Sequence, residues 1–192
     1  MKILVVFGTR PECIKLAPVI KQAPLQGVEV VVCTTGQHQE MLNQCLTMFD
    51  IHADYSLAVM RPNQTLAGVT ARILDNLTPV LEEVHPDVVV VQGDTATAFA
   101  SSLAAFYLRI PVAHVEAGLR TDDLSAPFPE EGMRQMISRL ASWHFAPTER
   151  NEKALLAEHV DGDKIFVTGN TVINALLLMR SLTNQKKTPR LS

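Results

Sequence analysis

Three carboxylates follow apolar segments of this chain at positions where acid/base chemistry could occur. Asp94 comes after the apolar run Val88–Val91 in a Gln-Gly-Asp-Thr motif, and Glu116 comes directly after Val112–Val115. Glu130 lies at the predicted start of a helix, after a Pro-Phe-Pro segment. In an open parallel sheet, ligands bind outside the carboxyl ends of the strands. The pattern therefore places three acids at one edge, where paired carboxylates can move protons to and from a bound substrate.

The first predicted strand also ends in a polar turn, and its residues suit anion binding. The sequence Gly-Thr-Arg-Pro-Glu follows Ile3–Phe7. The amides at the start of the next helix, together with Arg10 and Lys15, could bind a phosphate. The turn does not match GxGxxG and the chain has no Walker A pattern, so neither a nicotinamide nor an ATP fingerprint is present. An ordinary turn with a surface arginine is the alternative.

Each carboxylate also has a purely structural interpretation. The candidates are a helix cap from Asp94 or Thr95 and ion pairs of Glu116 with Arg120 and of Glu130 with Arg134. Strand alternation further predicts that His114 and Glu116 lie on the same side of the sheet. Residues 36–39 (GQHQ) and 168–171 (TGNT) also follow predicted strands. Four or more polar strand ends at one edge are hard to explain by capping alone, so we favour a binding site there.

Composition narrows the class of protein. The 192 residues (21.1 kDa) carry 17 basic and 20 acidic side chains, so there is no basic excess for nucleic acid. Three cysteines without a CxxC pair predict a reduced, cytoplasmic protein with no disulfide framework and no zinc site. No stretch approaches the roughly 20 apolar residues of a membrane helix.

Short β-branched runs alternate with helical patterns, which predicts an α/β fold with a Rossmann-like, doubly wound parallel sheet. The predicted strands are Ile3–Phe7, Val28–Cys33, Tyr55–Leu57, Val88–Val91, Val112–Val115, Trp143–Phe145 and Ile165–Val167. The predicted helices are Pro11–Gln22, Gln39–Phe49, Thr65–Val84, Thr95–Leu108, Glu130–Ala141, Thr148–Glu158 and Thr171–Arg180. Pro79 predicts a kink or a break in the third helix.

Six motifs, in order along nearly the whole chain, closely resemble the non-hydrolysing UDP-N-acetylglucosamine 2-epimerases. They are Phe7–Glu12 (FGTRPE), Gln92–Thr95 (QGDT), His114–Thr121 (HVEAGLRT), Pro127–Glu131 (PFPEE), His144–Thr148 (HFAPT) and Thr168–Thr171 (TGNT). The resemblance implies one half of a two-domain GT-B fold with the active site between the domains. It implies interconversion of UDP-N-acetylglucosamine and UDP-N-acetylmannosamine through elimination of UDP to 2-acetamidoglucal. It also implies no cofactor, no metal, a homodimer and a role in polysaccharide biosynthesis.

The resemblance assigns site residues by motif position. It makes Asp94, Glu116 and Glu130 catalytic, and it makes Arg10, Lys15, Gln37, His38, Glu131 and Arg134 substrate-binding. The chain departs from the family pattern at Cys13, at Gln39 and at Met133, where the family usually has alanine, arginine and asparagine. The last two departures put regulation by a second UDP-N-acetylglucosamine in question.

The chain ends where the family's hinge begins. We therefore expect residues 1–180 to form the N-terminal Rossmann-like domain and residues 181–192 to be a linker or a truncated end. The second domain would supply a histidine and most contacts to uridine and diphosphate, so the chain alone should have little or no activity. A hydrolysing epimerase, a GT-B glycosyltransferase and a non-catalytic binding half are the alternatives.

Overall fold

Strands and helices alternate along the chain in this computed structural model, which describes residues 1–36 and 39–187. The strands are β1 (Lys2–Phe7), β2 (Glu29–Thr34), β3 (Tyr55–Ser56), β4 (Val88–Gln92), β5 (Val112–Val115), β6 (Trp143–Ala146) and β7 (Ile165–Val167). The α-helices are α1 (Arg10–Gln22), α2 (Gln39–Phe49), α3 (Leu66–Val84), α4 (Ala96–Tyr107), α5 (Glu130–Leu140), α6 (Glu149–Ala157) and α7 (Thr171–Lys187). Two short 3₁₀ turns, Ala23–Gln26 and Gly162–Lys164, connect elements.

The strands form one parallel sheet with the order β3-β2-β1-β4-β5-β6-β7. The chain builds outward from β1 to β3, then returns to place β4 on the other side of β1 and continues outward to β7. The predicted doubly wound sheet is therefore confirmed. Its topological switch point lies between β1 and β4, where the following loops diverge and leave a crevice.

Both faces of the sheet are buried, which explains the continuous apolar runs of its strands. On β1, Leu4 packs into a cluster with Ile73 of α3, whereas its neighbour Val5 packs with Leu16 of α1. Helices α3, α4 and α5 contribute to the first cluster, and α1, α2 and α7 contribute to the second. These two apolar layers hold the carboxyl ends of the strands in fixed positions.

Helices α3 and α7 differ from their predictions in continuity and in length, respectively. Helix α3 continues through Pro79 to Val84, so a break at the proline is wrong. Its buried stripe, which includes Leu77 and Leu81, continues on both sides of the proline and compensates for one missing backbone hydrogen bond. Helix α7 continues past Arg180 to Lys187. The division of the chain at residue 180 stays a prediction.

The state of the cysteines and the hydropathy of the helices are relevant to the predicted cytoplasmic location. Cys13, Cys33 and Cys45 are all free and buried. In the part of the chain that the structure describes, no helix has both the length and the hydropathy needed to cross a bilayer. The cytoplasmic location stays a prediction.

Candidate active site

A cavity of about 550 Å³ opens at the switch point, beyond the carboxyl ends of β1, β4 and β5. Four of the predicted site residues line it: Lys15 from α1, Asp94 from the loop after β4, Glu116 from the loop after β5, and Glu130 from the start of α5. Residues that are far apart in sequence thus meet in one place. A groove of similar volume, about 560 Å³, lies elsewhere on the sheet, but it has no acidic or basic side chain in its lining. Acid/base chemistry therefore belongs to the first cavity.

The turn between β1 and α1 is closed by a reciprocal cap. The Thr9 side chain accepts a hydrogen bond from the Glu12 amide, and Glu12 Oε2 accepts from the amides of Gly8 (3.0 Å) and Thr9 (2.8 Å). This capping box satisfies the amides of Gly8, Thr9 and Glu12, three of the groups at the turn where a phosphate was expected. The side chains of Arg10 and Lys15 therefore become the main candidates for anion binding at this turn.

Glu12 also joins the two turns that border the cavity. Its Oε1 accepts a hydrogen bond of 2.6 Å from the Thr95 hydroxyl, and the same hydroxyl accepts from the Ala98 amide to cap α4. Burial raises the pKa of Glu12, and its hydrogen bonds to Thr95 and Thr9 oppose that rise. The motif assignment leaves Glu12 out of the site. The sequence signal for it is a threonine with a glutamate three residues later, which is the pattern of a capping box.

Three donors hold Glu116 at the floor of the cavity. Lys15 Nζ lies 2.5 Å from Glu116 Oε2, and Gln92 Nε2 donates to the same oxygen. Asn170 Nδ2 donates to Oε1 at 3.2 Å. The sequence places Gln92 and Asn170 at polar strand ends but does not identify them as partners of Glu116. Their spacing along the chain does not show that both side chains reach the same carboxylate.

The predicted side of Glu116 is wrong, and its alternative ion pair with Arg120 is not formed. Its φ of +64° places it in the left-handed region, so strand alternation does not extend to it. The buried His114 side chain contacts the Gly93 carbonyl oxygen (2.7 Å), whereas the Glu116 carboxylate lies in the cavity beside α1. Arg120 pairs with Glu158 through Nε and Oε1 at 2.5 Å and leaves Glu116 to other partners.

Asp94 is free to take part in chemistry because Thr95 performs the capping of α4. Arg134 Nη2 lies 2.5 Å from Asp94 Oδ2, so the predicted Glu130–Arg134 pair is replaced by an Asp94–Arg134 pair. Burial raises the pKa of Asp94, while the Arg134 charge opposes the rise and the Glu130 and Glu116 charges add to it. Asp94 is therefore better able to hold a proton than an exposed aspartate.

The other predicted residues are placed differently. Arg134 and Glu131 are 9% and 0% exposed and lie behind the cavity wall rather than in its lining. Arg10 is exposed but also outside the lining. Gln37 and His38 fall outside the described residues. The substrate-binding roles of all five stay predictions.

Glu130 differs from its neighbours in the site. Its carboxylate makes no hydrogen bond or ion pair with any residue that the structure describes, and it lines the cavity at the first turn of α5. An unpaired carboxylate facing a cavity can accept a proton from a ligand. Among the described residues, no group of three or more His, Cys, Asp or Glu side chains could hold a metal ion.

Comparison with known proteins shows to which family this chain belongs. The family model for UDP-N-acetylglucosamine 2-epimerase matches residues 21–191. The chain belongs to the UDP-N-acetylglucosamine 2-epimerase family. The predicted resemblance is thus confirmed.

Relatives and solved structures of 2-epimerases align with most of this chain but with only part of their own. The Neisseria meningitidis enzyme is 55% identical over 179 residues, which cover 93% of this chain and 48% of that protein. The crystal structure of the N. meningitidis enzyme bound to UDP-GlcNAc superposes with a TM-score of 0.91 and 55% identity, over 97% of this chain and 51% of that one. The Methanocaldococcus jannaschii 2-epimerase, in complex with UDP-GlcNAc and UDP, gives a TM-score of 0.89 and 38% identity, over 98% and 51%. The chain spans about half the length of these relatives.

Proposed function

We propose that the cavity is the carboxylate-bearing part of an active site that interconverts UDP-N-acetylglucosamine and UDP-N-acetylmannosamine. The observation that carries the proposal is the convergence of Asp94, Glu116, Glu130 and Lys15 on one cavity in a chain of this family. Solved relatives bound to UDP-GlcNAc support the choice of substrate. Since the chain spans about half of those relatives, a second domain completes the site.

The chemistry needs groups for proton transfer and for charge stabilisation. A base removes the C2 proton while the bond from C1 to the UDP oxygen breaks, which gives 2-acetamidoglucal and UDP. Return of a proton to the other face of C2, with re-formation of the C1–oxygen bond, gives the epimer. The ring carries positive charge as UDP leaves, and nearby carboxylates stabilise that charge.

The environments of the three acids suggest how these tasks divide. Glu130 has no partner among the described residues, and burial raises the pKa of Asp94, so these two suit proton transfer. Glu116 is bound to Lys15, Gln92 and Asn170, which suits a fixed charge beside the developing cation. Lys15 is the cavity's basic group and would contact the leaving diphosphate, with Arg10 nearby at the first turn of α1.

The proposal is tested by incubation with UDP-N-acetylglucosamine in D₂O, followed by proton NMR. The chain is assayed alone and together with the separately produced second half of the N. meningitidis relative. Asp94→Asn, Glu116→Gln and Glu130→Gln should each abolish loss of the C2 proton signal. Glu82→Gln changes an exposed acid on α3 outside the cavity lining, so it should leave exchange unchanged.

The products separate this proposal from its alternatives. UDP-N-acetylmannosamine with deuterium at C2 supports the non-hydrolysing reaction. Free N-acetylmannosamine and UDP would indicate the hydrolysing class instead. No exchange in either preparation, or exchange that survives all three substitutions, would count against a catalytic role and favour a binding half.

A homodimer, a cytoplasmic location and a role in polysaccharide biosynthesis go with the proposed function. The dimer is tested by light scattering on the purified chain. A monomer at micromolar concentration would argue against it.

A further inference from the structure

The two adjacent glutamates at the start of α5 have different environments. Successive residues on a helix lie about 100° apart, so the two side chains point in different directions. Glu130 lines the cavity, whereas Glu131 is completely buried behind it. The Glu131 carboxylate accepts hydrogen bonds from the Thr121 amide (3.1 Å) and from Gln135 Nε2 (2.8 Å). A buried charge of this kind is tolerated only when it is paired and hydrogen-bonded.

The charged partner of Glu131 is Arg134, on the same helix. Arg134 Nη1 lies 3.4 Å from Glu131 Oε2, and Nη2 lies 2.5 Å from Asp94 Oδ2. The guanidinium is planar and its donors form a rigid fork, so contact with Glu131 on one side limits where the other nitrogen can point. Arg134 does not line the cavity, so a ligand would meet Asp94 before it meets the arginine.

We infer, resting on the proposed role of Asp94 in proton transfer, that Arg134 is a positioning residue that orients Asp94 and is anchored by Glu131. It is not a ligand of the substrate. The contacts from Glu131 to Arg134 and from Arg134 to Asp94 hold a carboxylate on the loop after β4 in a fixed position relative to α5. This role differs from the substrate contact that the family resemblance assigned to Glu131 and Arg134.

The charges that face Asp94 predict what loss of Arg134 would do. Arg134 of α5 is the cation, and Glu130 of α5 and Glu116 of the loop after β5 are the anions. Without the arginine, Asp94 would be left partly buried among like charges, and its protonated form would be favoured. Asp94 would also lose the partner that holds Oδ2 in place.

The test is a pH titration of the Asp94 carboxyl carbon by ¹³C NMR in the chain without ligand. The Asp94 signal is assigned from its absence in Asp94→Asn. In Arg134→Gln the titration midpoint should rise by about one to three pH units, because an adjacent opposite charge lowers an aspartate pKa by that much. The control Arg139→Gln alters an exposed arginine on α5 that contacts the Glu158 carbonyl, and it should leave the midpoint unchanged. An unchanged midpoint in Arg134→Gln overturns the inference.

A second measurement uses the unaltered chain and does not depend on how well Arg134→Gln folds. The side-chain ¹⁵N signals of Arg134 should move with the same midpoint as Asp94, because the two groups are hydrogen-bonded. Signals that stay constant through the Asp94 titration would contradict the pairing.

Affinity for UDP-N-acetylglucosamine distinguishes positioning from direct contact. If Arg134 acts only through Asp94, Asp94→Asn and Asp94→Asn/Arg134→Gln should bind with affinities within about two-fold of each other. A further loss of about ten-fold or more in the double variant would identify Arg134 as a ligand and overturn the inference. These affinities are measured with the second half of the N. meningitidis relative present. Failure of the unaltered protein to bind the nucleotide sugar in that mixture would count against the proposed function and leave the titration result intact.

Discussion

Replacement of Gly118 by alanine should strongly destabilise the fold around the cavity. Gly118 lies two residues after Glu116 and has a φ of +86°, and a Cβ atom there would lie 2.3 Å from the Asn151 carbonyl oxygen. Asn151 is also held against this loop by its side chain, since its Nδ2 donates to the Gly118 carbonyl at 3.1 Å. The close approach between this loop and α6 therefore requires the absence of a side chain.

The size of the effect follows from two contributions. A left-handed backbone conformation costs alanine about 1–2 kcal/mol. Relief of the contact with Asn151 requires a backbone shift, and overpacking of this kind costs about 1–3 kcal/mol more. The sum is about 2–5 kcal/mol, a large part of the roughly 5–15 kcal/mol that stabilises a typical domain. At about 2–4 °C per kcal/mol, the melting temperature should fall by about 4–20 °C.

Gly27→Ala is the matched control, because Gly27 has a φ of +76° and a Cβ atom added there would have no other atom within 4 Å. In Gly27→Ala the free energy of unfolding should fall only by the cost of the left-handed backbone conformation, about 1–2 kcal/mol. Urea unfolding can be followed by the fluorescence of Trp143, the single tryptophan, which lies on β6. Equal stability of the two variants would refute the steric argument. A displaced Glu116 loop should also slow C2 exchange in Gly118→Ala, but not in Gly27→Ala.

Three further predictions concern Glu12, His114 and the exposed face of α7, for which Ala175→Lys is the control on the buried face. Burial raises the pKa of Glu12 above its usual 4.5, so stability should fall as pH rises from about 4.5 through the raised pKa, and Glu12→Gln should remove this fall in urea unfolding measured over a pH series. Burial lowers the pKa of His114 from 6.5 to about 3, so stability should be lost as pH falls below 6.5, and His114→Gln should flatten that loss in acid titrations of the melting temperature. Leu177 is 61% exposed on α7, so Leu177→Lys should change stability by no more than about 0.5 kcal/mol. Ala175→Lys should lower the melting temperature, because Ala175 is 2% exposed and the variant would bury an unpaired charge.

Each of these has an outcome that contradicts it. Retention of the full pH dependence in Glu12→Gln would mean that another group causes the loss at high pH. An unchanged loss of stability at low pH in His114→Gln would contradict the prediction and assign that loss to other groups, such as His144, whose pKa burial lowers to about 4. A large stability loss in Leu177→Lys would show that this face of α7 is covered in solution.

The fold could be predicted because its signals are local. Runs such as Val88–Val91 are long enough for one buried strand and too short for most helices, and the turns between them contain glycine or proline. The continuation of α3 through Pro79 was less predictable, because it depends on apolar contacts that Leu77 and Leu81 make with other elements. Tertiary packing of that kind overrides a single unfavourable residue.

The sequence by itself determined the doubly wound sheet, the family and four of the residues that line the cavity, Lys15, Asp94, Glu116 and Glu130. Short-range sequence patterns determine where strands and helices alternate and which motifs stand at strand ends. These features can therefore be predicted without knowing which residues come into contact. The tertiary structure alone decided which side chains pair. Lys15 and Glu116 are 101 residues apart, and Arg134 and Asp94 are 40 apart. Such pairs depend on how α1 and α5 pack against the sheet and on the left-handed turn at Glu116, and neither is encoded in the spacing of residues along the chain.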